Sequence, residues 1–70
     1  MDDITAMLKA IIKDQGISQV DIAREFGVSP QAIYNKFNRG TWYFDEVVRI
    51  LRLANCRLVV ESEKIRRYEF

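Results

Sequence analysis

Residues 17–40 read ISQVDIAREFGVSPQAIYNKFNRG, and this stretch decides the fold. Ser18, with an aspartate three residues later, has the spacing of a capping box and predicts the start of a helix. Gly27 is expected to end that helix, because glycine adopts the left-handed backbone of a helix C-terminus without strain. Ser29 and Pro30 then form an N-cap followed by proline at the first helical position. The stretch therefore predicts two short helices joined by a tight turn.

The second of these helices, predicted over residues 30–38, has two chemically different faces. At about 100° per residue, Ile33 and Phe37 fall on one side of the helix. Gln31, Asn35 and Asn38 fall nearly opposite, with Tyr34 between the two faces. Amide side chains donate and accept hydrogen bonds in a pattern that matches the edges of bases. The helix is expected to bury the apolar side and to present the amide side outward.

Apolar periodicity predicts a further helix on each side of this pair. The first runs from the N-terminus to Gly16, with Thr5 on its outer side and an inner stripe of Ile4, Met7, Leu8, Ile11 and Ile12. The fourth runs from about Tyr43 to Ala54. Its inner residues are expected to be Phe44, Val47, Val48, Leu51 and Ala54. The pattern predicts a mainly α fold of four helices.

The last residues, RLVVESEKIRRYEF from position 57, allow two structures. Leu58, Val59 and Val60 are typical of a strand, and residues 65–70 could return as a second strand of a hairpin. Residues 62–64 lack the Gly or Asn of a tight turn, so an extra helix stays open. We expect a domain over residues 1–55 and a C-terminal appendage over residues 56–70.

Residue types that carry enzyme chemistry are scarce in this chain. There is no histidine, no glycine-rich phosphate loop and a single cysteine, Cys56, which cannot form a disulfide within the chain. The acid pairs at residues 2–3 and 45–46 stand where helices begin, where the helix dipole favours them. We therefore expect no enzyme activity, no catalytic or metal-binding residue, no cofactor and no small-molecule ligand.

Composition places the chain among small globular proteins. Its 70 residues allow one domain, and its 11 basic and 10 acidic residues leave a net charge of +1. That charge predicts no overall attraction to nucleic acid or to a membrane surface. With no leader-like or membrane-spanning segment and one free thiol, a cytoplasmic location is expected.

The stretch quoted above resembles the helix-turn-helix of the Cro and phage-repressor family. The matching positions are Ser18, Gln19, Ala23, Gly27 and Ile33. The likeness extends over about residues 3–55 and implies a compact, lambda-repressor-like four-helix domain. It also implies that Gln19 binds a DNA phosphate while Gln31 and Asn35 enter the major groove.

These observations predict a sequence-specific, repressor-like transcriptional regulator that binds double-stranded DNA. The residues expected to contact DNA are Ser18, Gln19, Ser29, Gln31, Tyr34, Asn35, Lys36, Asn38 and Arg39. A protein-protein adaptor, or an antitoxin-like module that uses the same fold, is the alternative.

A homodimer is expected, because one short recognition helix covers few base pairs and pairing two modules on half-sites strengthens binding. The residues expected in the interface are Leu58, Val59, Val60, Ile65, Tyr68 and Phe70. The alternative is that this tail folds back over the first and fourth helices of a monomer.

Overall fold

The chain contains four helices followed by a two-stranded antiparallel hairpin, and the computed structural model describes residues 3–63 and 67–70. The elements are α1 (Asp3–Gln15), α2 (Gln19–Phe26), α3 (Pro30–Arg39), α4 (Phe44–Leu53), β1 (Val59–Glu61) and β2 (Arg67–Glu69). The predicted mainly α fold is confirmed. The C-terminal appendage is a hairpin, which settles the choice that the sequence left open.

Local hydrogen bonds explain where α2 and α3 begin and end. Oγ of Ser18 accepts from the backbone N–H of Asp21 at 3.1 Å, and the Asp21 carboxylate accepts from the backbone N–H of Ser18 at 2.9 Å. Gly27 then takes the left-handed conformation, with φ 70°. Oγ of Ser29 accepts from the N–H of Ala32 at 3.2 Å and begins α3. The predicted capping box, turn and second cap are all confirmed.

One core joins the four helices. Its buried members are Leu8, Ile12, Ile22, Ala23, Ile33, Phe37, Val47, Ile50 and Leu51. Ala23 is 2% exposed, and its small side chain lets α2 approach α3 closely. The core therefore sets both the position of α3 and its rotation about its own axis.

The prediction that Thr5 faces outward from the first helix is wrong. Its side chain is 2% exposed, and Oγ1 accepts a hydrogen bond from Nε1 of Trp42 at 2.8 Å. Ile4, which was expected to face inward, is 44% exposed. A buried indole N–H needs an acceptor, so α1 turns its threonine towards Trp42.

The prediction that Phe44 faces the core is also wrong. Phe44 is 54% exposed, while Ile50 is fully buried in α4. Phe44 is the first residue of α4, and its ring meets that of Phe70 edge to face at 5.0 Å. The aromatic ring therefore supports the hairpin instead of filling the helical core.

The hairpin follows directly from the end of α4. Asn55, with φ 60°, adopts the left-handed conformation after the helix and turns the chain away. Val60 then pairs with Tyr68 and Val59 pairs with Glu69. Ile65 lies outside the described residues. No helix within residues 3–63 is long and apolar enough to cross a membrane.

Candidate nucleic-acid interface

The face of α3 that points away from the core is lined by amides. Ile33 is 0% exposed and Phe37 is 3% exposed, so these two side chains fix the rotation of the helix. Gln31, Asn35 and Asn38 are all exposed on the other side. The structure thus places the three amides where the helical period predicted. These three amides form a polar face, and the first turn of α3 contains no acidic residue.

Two of these amides are linked to each other. Nε2 of Gln31 donates a hydrogen bond to Oδ1 of Asn35 across one turn of α3, at 3.3 Å. This bond leaves Oε1 of Gln31 as an acceptor and Nδ2 of Asn35 as a donor. The pair can therefore offer an acceptor and a donor side by side to a hydrogen-bonding partner.

The hydroxyls of Ser18 and Ser29 act as helix caps, so their oxygens already accept backbone hydrogen bonds. Gln19, the first residue of α2, is half-buried beside the free N–H groups of the helix start. The Asp21 carboxylate is stabilised mainly by the backbone N–H of Ser18 and, to a smaller extent, by the Ser18 hydroxyl. These hydrogen bonds lower the pKa of Asp21.

Lys36 is directed towards α4, which the sequence did not indicate. Its Nζ lies 2.9 Å from Oε2 of Glu46, and the lysine side chain is 30% exposed. The same ammonium lies 5.7 Å from the ring centre of Trp42 and 5.4 Å from that of Tyr43. Glu46 also accepts from the backbone N–H of Tyr43 at 2.9 Å. The charge of Lys36 is thus balanced within the protein.

Arg39 and Tyr34 remain available at the surface. Arg39 is exposed and has no ion-pair partner among the described residues. Tyr34 is 50% exposed and borders the amide face. Of the two basic residues in the last turn of α3, Lys36 is paired with Glu46 and Arg39 has no ion-pair partner in the described part of the chain.

A cleft beside α3 was not predicted. It has a volume of about 440 Å³ and is lined by Ala32, Asn35, Lys36, Arg39, Thr41, Trp42 and Tyr43. Thr41 and Tyr43 were absent from the expected site. For Tyr43, the sequence does carry a signal: it belongs to three consecutive aromatic residues at positions 42–44, which cannot all point inward. No comparable signal marks Thr41.

Comparison with known proteins agrees with this geometry. Residues 3–39, more than half of the chain, match a family model described as winged helix-turn-helix DNA-binding. The match spans α1 to α3, and α4 and the hairpin lie outside it. No curated protein and no solved structure matches the chain. The chain belongs to the winged helix-turn-helix DNA-binding family.

Proposed function

We propose that this chain is a sequence-specific transcriptional regulator of the repressor type, which binds DNA in the manner of the Cro and phage repressors. In this proposal, α3 enters the major groove with its amide face towards the bases. The observation that carries the proposal is the orientation of α3. Burial of Ile33 and Phe37 holds Gln31 and Asn35 outward on a rigid helix.

Base recognition is assigned to the amides. Asn and Gln side chains can pair with adenine at N6 and N7, and such a contact contributes about 1–3 kcal/mol of discrimination. The hydrogen bond between Gln31 and Asn35 supports a joint reading of one or two bases, because it orients both amides before DNA arrives. Asn38 and Tyr34 extend the same exposed face.

Phosphate contacts are assigned to the residues around that face. Gln19 lies at the start of α2, where free backbone N–H groups favour an anion. Ser18 and Ser29 stand at the starts of α2 and α3. The Ser29 hydroxyl can donate its proton to a phosphate oxygen, and the Ser18 hydroxyl can do so if it rotates away from Asp21. Arg39 supplies a charged contact. For Lys36, the ion pair with Glu46 supports a role in positioning α3.

We propose that the working form is a homodimer joined through residues 56–70. Alternation along the paired strands places Leu58, Val60, Tyr68 and Phe70 on one face of the hairpin. Leu58 packs against the core, and Phe70 packs on Phe44. Val60 and Tyr68 remain 49% and 51% exposed. This apolar end of the face is suited to meeting its counterpart in a second copy.

The same apolar end favours a second candidate function, in which the chain is an adaptor or antitoxin-like module that binds another protein. Val60 and Tyr68 would then contact a different chain, and the amides of α3 would be ordinary solvent-facing residues. The two functions differ in their dependence on salt, because DNA phosphates release counterions when a protein binds them.

The experiment is a binding titration on a short mixed-sequence duplex at several salt concentrations. The proposed function predicts binding at low salt and an affinity that falls linearly with salt on logarithmic axes. Binding that is absent at low salt would contradict the proposal and favour the adaptor. A mixture of selected and random duplexes then tests sequence preference, which non-specific attraction cannot supply.

A further inference from the structure

We propose that the cleft between the end of α3 and residues 41–43 holds a phosphodiester of the DNA backbone, with the Tyr43 hydroxyl as its hydrogen-bond donor. This inference rests on the proposed function and adds a binding site to it. It assigns a role to Thr41 and Tyr43, which stand outside the helix-turn-helix itself.

The three consecutive aromatic residues point to three different places. Trp42 turns inward, where it donates to Thr5 and meets the ring of Phe37 at 4.9 Å. Phe44 turns towards Phe70 of the tail. Trp42 and Tyr43 both line the cleft, but Tyr43 is largely in solvent, with 72% of its surface exposed. Its side chain also meets the Lys36 ammonium, yet this exposure leaves surface for a partner on the side of the molecule that carries α3.

Charge in the cleft suits an anion. Arg39 contributes a guanidinium without an ion-pair partner among the described residues. Lys36 also lines the cleft, and its charge offsets that of Glu46. The lining residues identified in the described part of the chain include no aspartate or glutamate. Thr41 and Tyr43 add hydroxyl donors at the rim. Arginine, threonine and tyrosine side chains are among the usual donors to phosphate oxygens.

The position of the cleft favours a phosphate of bound DNA over a free anion. Asn35 belongs both to the amide face and to the cleft wall. A helix that lies in the major groove, about 12 Å wide, has the sugar-phosphate backbone along its sides. A surface that begins at a base-reading residue and continues sideways from α3 therefore meets that backbone. Such a contact fixes the register of the helix without reading sequence.

The test compares the full chain with Tyr43→Phe, which removes the hydroxyl and keeps the ring. Binding to mixed-sequence duplex should weaken about tenfold, because the lost hydrogen bond has a charged acceptor. The slope of affinity against salt should stay the same, since the phenol is uncharged. Gln15→Ala is the control, because it removes an exposed polar side chain at the end of α1, away from the cleft lining. Circular dichroism confirms that both variants fold.

Trp42 gives a second, independent readout. It is the single tryptophan of the chain and lines the cleft, so its fluorescence reports on that place. Duplex DNA should shield it from acrylamide, a neutral quencher. If the full chain binds the duplex but Tyr43→Phe binds equally well, or Trp42 stays equally accessible, the cleft is not a phosphate site and the proposed function still stands. If the full chain does not bind the duplex, both proposals fail.

Discussion

Nζ of Lys36 lies 2.9 Å from Oε2 of Glu46, and this ion pair joins the last turns of α3 to the first turn of α4. Glu46 is itself held by the backbone N–H of Tyr43. Phe37, the residue after Lys36, packs against the ring of Trp42. The end of α3 is therefore held in place both by an ion pair and by an aromatic contact. The orientation of the amide face thus depends on residues outside the helix-turn-helix.

Lys36 and Arg39 should respond differently to substitution. Lys36→Gln removes a partly buried ion pair and leaves Glu46 without its cation, so we expect the free energy of unfolding to fall by about 1–2 kcal/mol, between the values for exposed and buried pairs. Arg39→Gln, at an exposed position, should change it by less than about 0.5 kcal/mol. Urea denaturation measures both values.

The same two variants should give the opposite ranking in DNA binding. Arg39→Gln should lower the slope of log affinity against log salt by about one, as expected for the loss of a phosphate contact. Lys36→Gln should leave the slope nearly unchanged. A slope that falls for Lys36→Gln and not for Arg39→Gln would assign the phosphate contact to Lys36 instead of Arg39.

Removing an amide from α3 should reduce specificity more than affinity for random DNA. Gln31→Ala and Asn35→Ala should each lower discrimination for a selected duplex by about 1–3 kcal/mol. Because their side chains share a hydrogen bond, the double variant should lose less than the sum of the two. Gln15→Ala, an exposed amide at the end of α1, is the control. Unchanged preference in both variants would refute the assigned face.

Thr5→Val should destabilise the fold although the two side chains have nearly the same shape. The substitution leaves the indole N–H of Trp42 without its acceptor, which should cost about 1–3 kcal/mol. Thr41→Val, at an exposed position, is the control and should have little effect on stability. Equal midpoints of unfolding for Thr5→Val and the unmodified chain would rule out a structural role for this hydrogen bond.

Self-association should depend on the exposed end of the hairpin. Val60→Lys places a charge in the proposed interface and should shift the chain towards monomer in sedimentation experiments. Val20→Lys is the control, because Val20 in α2 has the same 49% exposure. A version that ends at Asn55 should be monomeric. A full chain that is monomeric at high micromolar concentration, or a truncated chain that remains dimeric, would disprove the interface.

The cap of α2 should make stability depend on pH in the acid range. Because the folded chain lowers the pKa of Asp21 from its usual 3.8, the unfolded chain binds this proton more tightly. The contribution of Asp21 is therefore complete above the unfolded-state value and is lost as the pH falls through the lower, folded-state value. Asp21→Asn should flatten this part of the profile. An identical profile in the variant would mean that the carboxylate does not cap the helix.

Structural features that depend on neighbouring residues could be predicted from the sequence, whereas contacts between residues far apart in the chain could not. The caps at Ser18 and Ser29 and the turn at Gly27 involve residues within one helical turn, so they could be predicted from spacing. The outward amides followed from the period of one helix. Thr5 with Trp42, and Lys36 with Glu46, are pairs whose members are far apart in the chain, and no local pattern links them.

The sequence could not decide between a hairpin and a helix in the tail, because that choice also depends on contacts between distant residues. Val59 and Val60 indicated a strand, but the partner strand and its register depend on how the chain returns. Phe44 was expected inside because periodicity alone does not show where the core ends along a helix. The cleft at Tyr43 likewise depends on the packing of α3 against the start of α4, which spacing does not describe.

The most direct test of the central claim is an NMR titration of the labelled chain with duplex DNA, in which backbone amide shifts are followed residue by residue. If α3 reads the major groove, the largest shifts should fall at residues 18–19, at residues 29–39 and in the cleft around Tyr43. The apolar end of the hairpin, at Val60 and Tyr68, should change little at a protein concentration that keeps the dimer intact. Shifts that cluster on the hairpin and leave Gln31 and Asn35 unchanged would contradict the account.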